Sequence, residues 1–372
     1  MVSMTIRRVA AALAAVLLLA ACTGGPGAKK QTGPDPGEEW THVRPGKAGF
    51  KPGALMTMDR RLQGANSSCF AVVRDGKVAH ESYFRGADDE TPGSAYSMTK
   101  SFTSVLVGIA ADKGDLSLDD KASKYIPKWR GTPSEDVTIR DLLSNTSGRH
   151  WDATTDYREM ALTVPDKTTF AIELGQEEPP GRVWHYNNSA IQTLQKVLEE
   201  ATGMEPATYG QENLFDPLSM RQSTWETDDA GNTMTFSGIV STCLDLARFG
   251  LLMLHDGKWN GKQIVSSDFV EEATGGASSE LNAAYGLLWW VNDEGPVLGA
   301  ATALGGGNDQ PAASQLAPRA PDDTFWAIGA GRQMIAVIPS EDIVAVRMGA
   351  APADPESVTP GTFTGDVVDA LR

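Results

Sequence analysis

The run from Phe102 to Asp112 constrains the fold most, because Phe102, Val105, Leu106, Ile109 and Ala110 recur at i, i+3, i+4, i+7 and i+8. That spacing predicts a buried helix starting close to Ser97 and stopping at Gly114. Its neighbours have a different period. Upstream, "CFAVVRDGKVAHESYF" reads as two β-rich runs around Asp75-Gly76, the pairing expected of a tight hairpin. Downstream, "VTIRDLLSNTSG", "TTFAIEL", "SAIQTLQKVLEEATG" and "TCLDLARFGLLMLHDG" are helical segments punctuated by Gly, Pro and Asp. Strand character returns in "YGLLWWV", "TFWAIGAG", "RQMIAVIP" and "DIVAVRMG", before an amphipathic "FTGDVVDALR". The expected fold is α+β: an antiparallel β-sheet flanked by helices, built from residues 49–104 and 236–372, with a mostly helical insertion over 105–235.

The first residues read as an address rather than as part of that fold. Arg7-Arg8 precede an apolar run from Val9 to Ala21 that is too short to span a bilayer, and "LAAC" at Leu19 to Cys22 is similar to a bacterial lipobox. Residues 1–22 are therefore expected to be a lipoprotein signal, with Cys22 lipidated and the chain anchored to the outer face of the bacterial cell membrane. Residues 23–48, rich in Gly, Pro and charge, read as a flexible tether. An exported chain permits a disulfide between Cys69 and Cys243, but their wide separation and apolar surroundings favour two unpaired buried thiols. The net charge of −16 argues against a nucleic-acid partner.

Chemistry concentrates in "AYSMTKSF". Ser97 and Lys100 stand at i and i+3, adjacent on one helix face, and Ser97 falls where free amides and the helix dipole favour an alkoxide. Lysine takes a serine's proton only if desolvation or a nearby cation lowers its pKa. In "PPGRVWHYNNSA" a turn leads through Tyr186 and Asn188 into a helix. Tyr186 beside an ammonium would favour its phenolate and shuttle protons, while Asn188 would donate to a substrate carbonyl or hold Lys100. Trp151 and Tyr157, in the stretch after Gly148, are candidate walls of a substrate pocket, and Gly148 reads as a helix stop.

With "SMTKSF", "TIRDLLSNTSG", "PPGRVWHYNN", "ENLFDPLSM" and "LARFGLLML" in that order, the chain resembles the serine β-lactamase-related superfamily, in its class C-like branch. That branch holds class C β-lactamases, D,D-peptidases, family VIII esterases and aminohexanoate-dimer hydrolases. The resemblance implies an acyl-enzyme on Ser97, with Lys100, Tyr186 and Asn188 as its catalytic company. It also implies a strand beside the nucleophile, matched here by Ala327-Ile328-Gly329, where the family's usual cation is missing. Gly329 and Arg332 are then substrate-binding candidates, with Arg332 compensating for that cation, and the amides of Ser97 and Ala330 form the oxyanion hole.

No metal or cofactor is expected: His80-Glu81 opens "HESYF" rather than a zinc-binding H-E-x-x-H, and "LGGGND" lacks the residues of a phosphate loop and reads as a lid within the 295–323 loop. His185 reads as wall, since no G-x-S-x-G elbow exists for it to serve. The sequence points to an exported serine hydrolase acting on a small-molecule, peptide, amide or ester substrate. The competing readings are a D,D-carboxypeptidase or β-lactamase acting on cell-wall-like substrates, and a catalytically silent binding lipoprotein.

Overall fold

The computed structural model describes residues 35–299 and 314–371. Cys22, residues 23–34 of the tether and the centre of the 295–323 loop, including "LGGGND", lie outside the described residues. Among the described residues, no helix is long and apolar enough to cross a membrane.

Both chain ends supply the main sheet. Strands β1 (Ser67–Arg74), β2 (Lys77–Tyr83), β3 (Phe325–Gly329), β4 (Gln333–Ile338) and β5 (Ile343–Gly349) lie in the order β2-β1-β5-β4-β3, with every neighbour antiparallel. The β1–β2 turn is the hairpin read from Asp75-Gly76: φ is 48° at Asp75 and 70° at Gly76, the doubly positive pair that matches strand twist. Five helices frame the sheet and the site: α1 (Pro52–Gly64), α2 (Thr99–Asp112), α3 (Asn188–Gln192), α4 (Cys243–Leu254) and α5 (Pro360–Asp369). Side chains alternate across the sheet, so Val344 and Arg347 point to opposite faces. Gly250 of α4 rests on Val344, whereas Phe363 of α5 meets Phe70, the register partner of Arg347, at 5.8 Å. Thus α4 covers one face, and α1 with α5 the other.

Helix α2 ends as expected: Asp112 is its last residue and the Gly114 amide bonds back to Ala111 at 2.9 Å. Its burial exceeds what an apolar stripe implies, since every residue from Thr99 to Ala110 is buried. Phe102 stacks on Phe249 at 3.7 Å and meets Phe215 and Trp225 edge-on. On the polar side, Thr103 and Ser101 donate to the carbonyls of Thr235 and Leu288 at 2.7 and 2.8 Å, and Ser104 donates to Leu287 at 2.6 Å. Short hydroxyl side chains let a helix be polar and buried together, because each hydroxyl finds a main-chain partner.

Four expectations change. Cys69 and Cys243 form a disulfide, with Cα atoms 6.4 Å apart. Cys69 faces α4 from β1 and Cys243 opens α4, so helix-on-sheet packing closes the distance that separation along the chain concealed. Residues 35–48 are packed rather than free. The Val43 amide donates to the Val78 carbonyl and the Val78 amide to the Thr41 carbonyl, at 2.9 and 3.0 Å, Arg248 donates to the carbonyls of Gly37 and Glu38, and His255 Nδ1 lies 2.6 Å from Asp35 Oδ1. Their partners sit in β2, in α4 and just beyond α4, which composition cannot reveal. Gly148 stops no helix, since the preceding one ends at Leu143; it lies in a loop, where a Cβ would collide with the Glu178 carbonyl. "YGLLWWV" is no regular strand, because Leu288 takes φ 60°, yet Trp290 still bridges to Trp326 through bonds of 2.9 and 2.8 Å.

The disulfide joins strand to helix across the sequence and shrinks the unfolded ensemble. Reducing it, or replacing both cysteines by alanine, should lower stability by about 2–4 kcal/mol in urea unfolding. Unchanged stability under reductant would contradict the cross-link.

Candidate functional site

Ser97 occupies a short helical turn, Tyr96–Met98, that runs directly into α2. The turn is sharp: Tyr96 takes φ 48°, an uncommon conformation for a side chain of that size, and Ser97 behind it stays partly exposed. Main-chain pairing holds this entry in place, since the Ala95 amide donates to Ile239 at 2.9 Å and the Thr99 hydroxyl accepts from the Ile239 amide at 2.9 Å.

Lys100, one turn on, is only 1% exposed. Its Nζ stands 3.0 Å from Ser97 Oγ, donates to the Phe236 carbonyl at 2.9 Å, and lies over the Tyr186 ring, 4.7 Å from its centre. Burial lowers the amine from the usual 10.5 to about 7, and the distant attraction of Asp156 recovers only part of that. The amine is therefore substantially neutral near pH 7. For folding, the sign is that the unfolded chain holds this proton more tightly, so Lys100 makes stability rise with pH from about 7 towards 10.5.

Tyr186 comes from the turn before α3, whose N-cap is Asn187, with its side chain accepting from the Ala190 amide at 2.8 Å. Burial raises the phenol well above its ordinary range, opposed by its hydrogen bond with Ser97. The phenolate expected from the sequence is thus disfavoured: burial penalises its charge, and an amine protonated only in part near pH 7 supplies little positive charge to hold it. Aromatic rings close around the phenol, with Trp290 stacked at 5.8 Å and Tyr285 edge-on at 6.1 Å.

Asn188 begins α3, and its side chain does not reach for Lys100. Instead its Nδ2 donates to Asp156 Oδ2 at 2.8 Å. Asp156 belongs to a ten-residue π-helix, Thr154–Thr163, and was not singled out by sequence reasoning. Nothing in "DATTDYREM" marks one of its acidic residues as buried; the π-helical turn, a frequent companion of functional sites, is visible only in the backbone. Trp151 and Tyr157 do adjoin the site. Trp151 Nε1 donates to the Tyr186 carbonyl at 3.1 Å and its ring packs 5.1 Å from His185, so it braces the corner.

The β3 end approaches from the other side. A Cβ on Gly329 would collide with the Ala95 carbonyl, two residues before Ser97, so only glycine lets this strand close in. Ala330 follows, and the turn is braced from behind. Arg347 donates to the Gly331 carbonyl at 2.6 Å, while Gln333 and Gly349 exchange two bonds of 2.5 and 2.8 Å. Ala327-Ile328-Gly329 carries no cation, and Arg332, at φ 66° and partly exposed, forms no ion pair among the described residues. Among the described residues, no cluster of His, Cys, Asp and Glu could hold a metal ion.

Against known proteins, residues 48–361 match the family model described as beta-lactamase. The 6-aminohexanoate-dimer hydrolase of Paenarthrobacter ureafaciens is 24% identical over 276 residues, covering 66% of this chain and 70% of that protein. Among solved structures, a putative 6-aminohexanoate-dimer hydrolase from Bacillus anthracis superposes with a TM-score of 0.70 at 21% identity, covering 91% of this chain and 89% of that one. A putative beta-lactamase from Bacteroides dorei gives 0.67 at 18% identity, covering 87% and 99%.

The contact between Gly329 and Ala95 generates its own test. Gly329→Ala should cost about 1–3 kcal/mol in urea unfolding, since main chain must move away from main chain. A variant as stable as its parent would contradict the close approach.

Proposed function

Because the chain belongs to the beta-lactamase family, we propose that it is an exported serine hydrolase that cleaves an ester or amide through an acyl-enzyme on Ser97. The observation that carries this reading is the buried Lys100 amine, 3.0 Å from Ser97 Oγ and lowered to about 7. Ser97 Oγ attacks the carbonyl carbon and its proton passes to the neutral Lys100 amine. The resulting oxyanion lies between the amides of Ser97 and Ala330, each such donor being worth a factor of about 100 to 1000 in rate. As the tetrahedral species collapses, the leaving group takes the proton of the Tyr186 phenol, which Lys100 replaces. Water then repeats the sequence on the acyl-enzyme: its oxygen joins the acyl carbon, its proton goes to the base, and as the acyl–Oγ bond breaks that proton returns to Ser97 Oγ, restoring hydroxyl and base.

The protonation states support this division of labour. A phenol raised by burial keeps a proton to give, and an amine lowered by burial is free to take one near pH 7. The missing cation at Ala327-Ile328 favours an ester or amide without a carboxylate at that position over a penicillin or D-alanyl peptide. Lipidation at Cys22 would hold the enzyme at the outer face of the cell membrane.

Mass spectrometry after reaction with an active-site serine reagent should show one adduct, on Ser97, and Ser97→Ala should abolish it and reduce turnover at least about a thousandfold. An adduct elsewhere, or none, would reject the reading. The rate of acylation should also rise with pH through about 7, because the neutral amine is the active form. A profile flat from pH 5 to 9 would exclude Lys100 as the base.

A further inference from the structure

Charge is spread unevenly along the chain, and the imbalance gathers around α1. The protein holds 48 acidic and 32 basic residues, yet residues 40–74 carry six Lys and Arg against a single acid, Asp59. Four of those cations, Arg44, Lys47, Lys51 and Arg60, are exposed and form no ion pair among the described residues. The acids of α1 and α5 already have partners: Asp59 has His80 at 2.8 Å, Asp366 has Arg61 and Arg319, and Asp369 has Arg319 at 2.9 Å. On α1 the exposed side repeats at Gly53, Met56, Thr57 and Arg60, while Leu55, Met58 and Leu62 pack inward. Met56 is 57% exposed and stands one turn from Arg60. The approach to the helix is fixed by main-chain bonds. The Phe50 amide returns to the Pro45 carbonyl at 2.9 Å, the Lys51 amide reaches the Ala370 carbonyl at 2.8 Å, and Arg74 donates to the Ala48 carbonyl at 2.8 Å. Lys47 and Lys51 are therefore held at the entrance of α1.

We infer that this surface rests on an anionic phospholipid bilayer, with the four cations over the headgroup phosphates and Met56 between them at the acyl boundary. Exposed cations on a helix are attracted to an anionic leaflet, and an apolar side chain among them adds contact that charge alone does not supply. Chain length favours the encounter. With Cys22 as the proposed anchor, residues 23–34 extend to about 40 Å at most, which keeps the surface at high local concentration over the bilayer. The consequence falls on the active site. Helix α1 lies across the sheet from α4, and α2 packs on α4 through Phe102 and Phe249. A chain lying on α1 therefore turns the α2 side, with Ser97, away from the lipid. Its substrate is then a water-soluble ester or amide rather than an acyl chain drawn from the membrane, a conclusion that rests on the acyl-enzyme reading above and narrows it.

The test uses the mature chain, Cys22 to Arg372, expressed without its signal so that no acyl chain contributes; the packed residues begin at Asp35 and are all retained. Co-sedimentation with vesicles of equal parts phosphatidylglycerol and phosphatidylcholine is compared with phosphatidylcholine alone. The parent should bind the anionic vesicles at least about thirtyfold more tightly, and about 0.5 M salt should erase the difference. Arg44→Glu, Lys47→Glu, Lys51→Glu and Arg60→Glu together should cut that preference at least about tenfold, and Met56→Ser should weaken binding at least about threefold. Lys258→Glu with Lys262→Glu, exposed in the hairpin after α4, should leave it unchanged. Every variant should cleave 4-nitrophenyl acetate in solution as the parent does, which shows it folded, and the vesicle-bound parent should keep its free rate. Equal binding to both vesicles, or a preference that survives the fourfold reversal, would overturn the inference. Turnover lost on the vesicles would overturn the orientation. Binding to soluble poly(glycerol phosphate) as tight as to vesicles, with Met56→Ser silent, would also overturn it, replacing lipid by a wall polymer. Vesicle binding as expected in a chain with no Ser97 adduct would support the surface and reject the acyl-enzyme reading instead.

Discussion

Desolvation of one amine is the constraint around which the structure is arranged. A lysine at 1% exposure loses most of its hydration, and the surroundings return the Ser97 hydroxyl, a carbonyl, an aromatic face and a remote carboxylate. Solvation outweighs attraction, and the proton is held loosely. To keep that amine dry, α2 must be enclosed on every side, which explains why its polar residues are short hydroxyls with main-chain partners rather than charges needing water.

The remaining framework fixes what surrounds the amine. The sheet delivers β3 to the entrance of α2, where Gly329 permits contact with Ala95, and Arg347 and Gln333 hold the following turn from behind. Opposite, the Tyr186 corner is fastened by Trp151 at its carbonyl and by Asn187 at the start of α3. Asp156 secures that same helix start from a π-helical turn. Fold and site are therefore one problem, because the side chains that complete the core also set the protonation states.

Much of this was legible in local pattern. The hairpin at Asp75-Gly76, the period of α2 and the stop near Gly114 are short-range features in which neighbours decide the outcome. The motif residues Ser97, Lys100 and Tyr186, far apart in sequence at their ends, lie together in the structure. What escaped depends on contacts distant in sequence. The Cys69–Cys243 disulfide needs α4 laid on β1, and the docking of residues 35–48 needs Arg248 and His255. The phenol's protonation follows from burial, which a motif does not state, and Asp156 looks like any acidic residue of a surface helix until the backbone shows its π-helical setting.

The account's central claim concerns a single proton. Selective 15N labelling of lysine side chains, with Lys100→Arg to assign the signal, would let the Lys100 amine be titrated directly by NMR in the Ser97→Ala background. A midpoint near 7 is the result this account predicts; a midpoint near the ordinary 10.5 would mean that water reaches the amine, and the proton transfer from Ser97 would have no acceptor.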